Sequence, residues 1–468
     1  MIKPILTTLR LKHLNVERCG AILILSGLVI ALVGGSARAE ETLSMETILA
    51  PADADKSEFY PGGKDAYYPS AAFGNDTFLI AWQAGRMSEG DIVGCRVGKD
   101  GKLLDAKPFV ISAAKDDQER PRVAFGKDVF LTVWQDLRNE KDYDVYAARV
   151  TPEGKVLDPD GILVSGGAHN QCLPRLAFDG ENFVVAWMDF RNGSGYQVFT
   201  ARVSTDGKVL DPDGVGLKVN GGFMPAVASP GGGKSLVAMK VSPGPTRDGF
   251  GGVFLQDGKP TGQQVAPILP GARPDYSPRC PQHHRSVAAG KNGYLLVTQN
   301  YGPAGRSGVA LNNTVTCLIV RNDGSREPLQ SLTGAAHRIM YPEVVWDGSC
   351  YVATWTDVTA NAGGGDDPRD GVFSRIYSIR LDENGKLVTP AGQPAPVVSE
   401  KQGSPGQRFL VFTPPGQPTL ISGTMESPAH RSVAATDGDG ATLIAYEKHP
   451  ETGDVPIKIG FRILTTKK

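Results

Sequence analysis

Beyond its first 39 residues the chain has six histidines: His169, His283, His284, His337, His430 and His449. Several stand beside other reactive or charged groups. His284 and His430 each open the run His-Arg-Ser-Val-Ala-Ala, and His337 is followed by Arg338 and then Tyr341-Pro342. Cys172 and Cys280 lie three positions from His169 and His283. Imidazole and thiolate converging from separate loops can hold zinc or a related divalent metal, with His169, His284, His337 and His430 as the candidate ligands. Without a metal, His284, His337 or His430 could carry protons, or the histidines could simply line a channel, bonded to backbone and water. Cys172 and Cys280 could instead pair as a disulfide. Arg285, Arg338 and Arg431, with Arg120 and Arg279, offer guanidiniums that match a carboxylate or sulfate in two-point contact. Tyr68 and Tyr341, with Tyr67 and Tyr301, offer ring faces for a sugar. This chemistry suits a reader of acidic polysaccharide. It also suits a lyase, in which His or Tyr removes a proton beside a uronate carboxylate that Arg or metal neutralises.

A repeat of about 52 residues positions these groups. Arg120-Pro-Arg-Val-Ala-Phe-Gly126 returns as Leu173-Pro-Arg-Leu-Ala-Phe-Asp179, and Phe130-Leu-Thr-Val-Trp-Gln-Asp136 as Phe183-Val-Val-Ala-Trp-Met-Asp189. Gly154-Lys-Val-Leu-Asp-Pro-Asp-Gly161 returns unchanged at 207–214. One position of the unit runs Trp82, Trp134, Trp187, Met239, Thr298, Trp355 and Tyr446, at spacings of 52, 53, 52, 59, 57 and 91. Each unit reads as four short strands with Gly, Asp and Asn turns. A single four-stranded meander cannot bury both its faces, so the units must stack radially. The expected fold is an all-β, seven-bladed β-propeller of four-stranded antiparallel blades. The last unit ends one strand short, and residues 46–50 resemble the missing strand, so an N-terminal strand should close the ring. Eight blades is the alternative, because the 91-residue interval has room for a degenerate one. On the seven-blade reading, an insertion at about 401–429 forms a hairpin lid or packs on the rim.

Trp134-Gln-Asp-Leu-Arg-Asn139, followed by the strand at 143–150, resembles secreted bacterial propeller-repeat proteins whose blades carry a Trp-Gln-Asp-x-Arg-Asn element. The resemblance covers the first three blades well and the rest loosely. It implies a fold and an exported location, and no activity.

Strand order places all six histidines in loops of one face, here called upper, which joins fourth strands to first and second strands to third. Residues that recur from blade to blade most simply serve the blade. That applies to the Trp series, to Asp136/Arg138 and Asp189/Arg191, and to the Asp-Pro-Asp-Gly runs, which are turns rather than calcium loops. No Gly-x-Ser-x-Gly elbow, phosphate loop or dinucleotide fingerprint appears. No unique carboxylate pair stands out for a glycosidase.

Gly and Pro supply 57 and 34 of the 468 residues, about a fifth against roughly 12% in average chains. That suits many short strands and turns. Residues 1–39 read as a secretory signal: a basic leader, an apolar stretch at 21–33, and Ala37-Arg38-Ala39 as the cleavage motif. The expected location is therefore periplasm or medium, with no transmembrane segment in the mature domain, 40–468. Those 39 residues carry five basic and one acidic side chain, so removing them takes the formal charge from −1 to −5. Such a balance excludes bulk affinity for nucleic acid. The reading that follows is an exported binding module for an extracellular glycan or protein. A polysaccharide-degrading enzyme and a purely structural cell-surface protein are the alternatives.

Overall fold

The computed structural model describes residues 40–49, 65–85, 90–219, 222–244, 247–268, 285–301, 313–328, 330–333, 338–359, 373–388, 397–402, 408–413, 419–422, 429–449 and 456–467, with the short pair Ile24–Leu25 and Leu28–Val29. The second strand of each unit is apolar throughout. Thr77–Ala84 in the first blade and Val129–Asp136 in the second are buried at every residue, as a strand must be when sheets cover both its faces.

Seven sheets stand around a central channel. Blade 1 is built from Ala66–Gly74, Thr77–Ala84, Asp91–Gly98 and Phe109–Ser112, in that order from axis to rim. Blades 2, 3 and 4 repeat it, beginning at Gln118–Gly126, Gln171–Phe178 and Phe223–Gly231. Blades 5, 6 and 7 begin at Arg285–Ala289, Arg338–Trp346 and Ala429–Thr436. The described residues of the long last interval form no eighth blade. The hairpin Val397–Gln402 and Arg408–Thr413 instead joins the outer edge of blade 5 through Gln330–Ser331, and Thr419–Ser422 then returns as the fourth strand of blade 6. The segment therefore extends a rim, and Leu420-Ile421 belongs to a blade. Glu40–Leu43 and Thr47–Ile48 both pair with Lys458–Lys467, so the N-terminus supplies the outer strand of blade 7.

The core is divided into layers, one at each blade junction. Trp82 packs between blades 7 and 1, Trp134 between 1 and 2, Trp187 between 2 and 3, Met239 between 3 and 4, Trp355 between 5 and 6, and Tyr446 between 6 and 7. A buried indole is worth about 3–5 kcal/mol against alanine. The indole N–H still needs a partner, and Asp136 and Asp189 accept it at 2.7 and 2.8 Å. The same carboxylates bind Arg138 and Arg191, which lie over Tyr146 and Phe199. Their role is to fix the blade.

Arg149 and Arg202 bind Asp158 and Asp211, the first Asp of each Asp-Pro-Asp-Gly turn. These arginines also receive the hairpin turn of the next blade. At Gly207, with φ +89°, a Cβ would stand 2.8 Å from Nε of Arg149, so glycine is needed for both conformation and approach. With those carboxylates engaged by guanidinium, millimolar calcium should leave the melting temperature unchanged. Asp158→Asn should cost about 1 kcal/mol or less, since the pair is partly exposed. Thermal melts with calcium or chelator check both.

Candidate functional site

Among the described residues, six first strands open with the same irregularity. Tyr68, Arg120, Leu173, Met224, Tyr341 and Arg431 have φ between 46° and 56°, and each stands at a register shift against the second strand. Proline follows in five of them and Ser432 in the last. A bulge turns a side chain out of the pleat, and a left-handed non-glycine residue is a small store of strain. Its recurrence makes the bulge a device of the blade. The side chain it presents is what differs.

From blade 6 through blades 7 and 1 to blade 2, the bulge residues form an alternating row. The Arg431 guanidinium lies 5.0 Å from the Tyr341 ring and 4.6 Å from Tyr68, and Arg120 lies 4.3 Å from Tyr68. Each contact is within cation–π range. Tyr341 is 3% exposed and backs the row, so it offers no free face to a sugar. Burial raises its hydroxyl above the ordinary tyrosine range, against a smaller opposing effect of Arg431. Tyr68 and Arg120 are half-buried and form the accessible part.

Glu447 anchors this row. Its fully buried carboxylate accepts from Arg431 Nη1 at 3.1 Å to each oxygen and from the Tyr68 backbone N–H at 3.0 Å. His449 Nε2 stands 3.4 Å from the second oxygen. Burial opposes the charge on Arg431, but Glu447, with Tyr341 and Tyr68, more than offsets it and holds the guanidinium well above its ordinary range. The stitch to the next blade has a neutral counterpart, where Gln135 accepts from the Leu173 N–H at 3.1 Å.

Below the row, two residues after the bulge, the first strands face the channel. Blades 1, 4, 5 and 7 place Ser70, Ala226, Ser286 and Val433 there. Blades 2, 3 and 6 place Arg122, Arg175 and Glu343. These residues line a cavity of about 130 Å³ on the axis. At the lip, Glu119 accepts from Gln135 Nε2 at 2.8 Å and bonds the Tyr143 hydroxyl. Burial raises its carboxyl, helped by Asp117 and opposed by Arg120.

Of the residues singled out in the sequence, the structure brings Tyr68, Tyr341, Arg431 and Arg120 together. Arg285, Arg338 and His430 are placed in first strands by their backbones, and their side chains lie outside what is described. His283, His284, His337, Arg279 and Cys280 also lie outside the described residues. His169 is exposed on its loop, 5.9 Å edge-on from Phe190. Cys172 is a free thiol, pushed up to about 11 mainly by burial. Among the described residues, no three His, Cys, Asp or Glu side chains gather to hold a metal.

Sequence reasoning passed over Arg122 and Arg175 because they belong to a repeated run. Glu343 and Glu447 were missed as well. The available signal was a charge at a strand position where sibling blades carry Ser, Ala, Val or Gln.

Fold and site together define a seven-bladed β-propeller with a cationic, aromatic channel mouth. No family model matches the chain, and no curated protein matches it. Among solved structures, one of a Dyadobacter fermentans protein of unknown function is similar at 11% identity and TM-score 0.47, over 91% of this chain and 99% of that one. The catalytic domain of a Coprinopsis cinerea GH62 α-L-arabinofuranosidase is similar at 9% and 0.36, over 92% and 98%. A Podospora anserina α-L-arabinofuranosidase in complex with cellotriose gives 11% and 0.36, also over 92% and 98%. This is a coarse likeness of sheet arrangement.

Proposed function

We propose that the protein is an exported binding module that holds an acidic glycan at the upper mouth of its channel. The row Arg120–Tyr68–Arg431–Tyr341 carries this reading. Arg120 makes no ion pair among the described residues and is available to a uronate carboxylate or sulfate ester. The Tyr68 ring braces it and adds apolar surface beside it. Arg431 is committed to Glu447 and serves as support.

The leader supports export with cleavage after Ala39, and cutting there would leave Glu40–Leu43, the closing strand, in the mature chain. Among the described residues, no helix is long and apolar enough to cross a membrane.

Titration calorimetry against oligouronates and neutral oligosaccharides of equal length tests the reading. Binding should be confined to the acidic series and weaken with salt. Arg120→Ala should lower affinity about tenfold or more, as expected for loss of a charge-assisted contact. Equal affinity for neutral chains would refute it.

Glu119 favours a second reading, a uronate lyase. Its raised carboxyl stands next to Arg120, where a base and a neutralising cation would both be needed. His284, His337 and His430 remain candidates for the same proton transfer. Unsaturated product from the same oligouronates, lost in Glu119→Gln, would establish this reading over simple binding.

A further inference from the structure

We propose that the axial cavity below the mouth is a binding site for a small free oxyanion of the phosphate or sulfate class, held by Arg122 and Arg175. The two residues occupy the same channel position on adjacent blades, so their guanidiniums enter one cavity side by side. Each donates a single hydrogen bond to the carbonyl before it, Arg122 to Pro121 at 3.0 Å and Arg175 to Pro174 at 3.1 Å. Among the described residues, neither is paired with a carboxylate.

A guanidinium has five N–H donors, so most of those on both residues are left for a ligand. Two like charges in a narrow cavity, with Arg120 above, are an unfavourable arrangement that a counter-charge relieves. Burial and the neighbouring guanidiniums act against the charge on Arg175 and hold it well below its ordinary range, with Glu343 opposing only in part. Arg122 is shifted the same way, by burial first, with Glu343 opposing and Arg120 adding to the shift.

Size selects the ligand. About 130 Å³ is an order of magnitude more than the roughly 10–15 Å³ one water needs. It admits a tetrahedral oxyanion with a few waters. Glu343 lines the same cavity and can accept a hydrogen bond from a protonated oxyanion, which favours hydrogenphosphate over sulfate. Blades 2, 3 and 6 would then share one ion, tying opposite sides of the ring. This site is independent of glycan binding at the mouth.

The test is thermal unfolding of the wild type and Arg175→Gln in phosphate, sulfate and chloride at matched ionic strength. In chloride, Arg175→Gln should melt at or above the wild type, because one of two repelling charges is gone. With rising phosphate the wild type should gain beyond any rise it shares with the variant, by about 2–4 °C at a hundred times Kd and growing with the logarithm of concentration. The order of the two proteins would then reverse. Both sulfate and phosphate also stabilise proteins generally by exclusion from their surfaces. A rise of equal size in both proteins would therefore overturn the proposal. So would a wild type that melts below Arg175→Gln by the same margin in every salt. Arg122→Gln is a second variant with the same expected crossing.

Discussion

Glu447→Ala should destabilise the protein by about 3–5 kcal/mol, the usual consequence of removing one partner of a buried ion pair. Three groups depend on that carboxylate: the Arg431 guanidinium, the Tyr68 N–H and, at 3.4 Å, the His449 ring. Arg431 cannot simply turn to water, because it is held between the Tyr68 and Tyr341 rings. The loss should also reach the mouth, since the strand carrying Tyr68 is stitched to blade 7 through this group. Glu447→Gln keeps the acceptor that Gln135 provides in blade 2 but leaves the cation unpaired, so it should fall in between. Glu447→Gln combined with Arg431→Leu removes both charges and reproduces residue types found at corresponding positions, Gln135 and Leu173. It should recover most of the stability. Denaturant unfolding of the wild type, Glu447→Gln, Arg431→Leu and the double variant gives the coupling energy directly. An additive double variant would show that the pair does not act as a unit.

The part of the fold legible in the sequence was the part that packing repeats. Trp82, Trp134, Trp187, Trp355 and Tyr446 recur because each fills the gap toward the preceding blade, and that gap is the same around the ring. The interval of 91 was ambiguous for a physical reason. A strand pair added to a rim and a degenerate blade have the same alternating pattern, and only pairing separates them. The shared run His-Arg-Ser-Val-Ala-Ala misleads about register. Ser286 pairs with Val297 in blade 5, whereas Val433 pairs with Ala445, the corresponding position of blade 7. The bulge around Arg431 takes up the difference of one residue.

The candidate site was harder to read, because its residues sit on repeated positions rather than outside them. Arg122 and Arg175 lie in the best-preserved run of the chain, and the run exists to build an inner strand. Whether such a residue faces the axis or a neighbouring blade depends on a bulge two residues earlier, which composition does not reveal. Tyr341 shows the converse: its type suits a sugar platform, yet at 3% exposure it is support.

Deleting residues 40–49 should abolish cooperative folding of the monomer. The segment pairs along most of Lys458–Lys467, so its loss would bare the edge of a blade whose faces are still packed. Leu49, 2% exposed, would also leave the layer between blades 7 and 1. Size-exclusion chromatography should find aggregate or edge-paired oligomer, and a monomer with the full chain's melting temperature would refute the closing role. Glu46 pins the same segment. It accepts from the Ser422 and Tyr446 hydroxyls, each at 2.5 Å, and from Lys448 Nζ at 3.3 Å. Burial pushes its carboxyl up, but these hydrogen bonds and the Lys448 charge outweigh burial and leave it below the ordinary value. A carboxyl lowered on folding stabilises the protein above its unfolded pKa, and that contribution fades as pH falls through the folded value. Glu46→Gln should therefore cost about 1–2 kcal/mol at neutral pH, the scale of lost charge-assisted hydrogen bonds at a partly exposed site. The gap between wild type and variant should close on acidification below the ordinary glutamate range. Melts taken across that range read the closure, and a gap constant with pH would mean that Glu46 acts by shape alone.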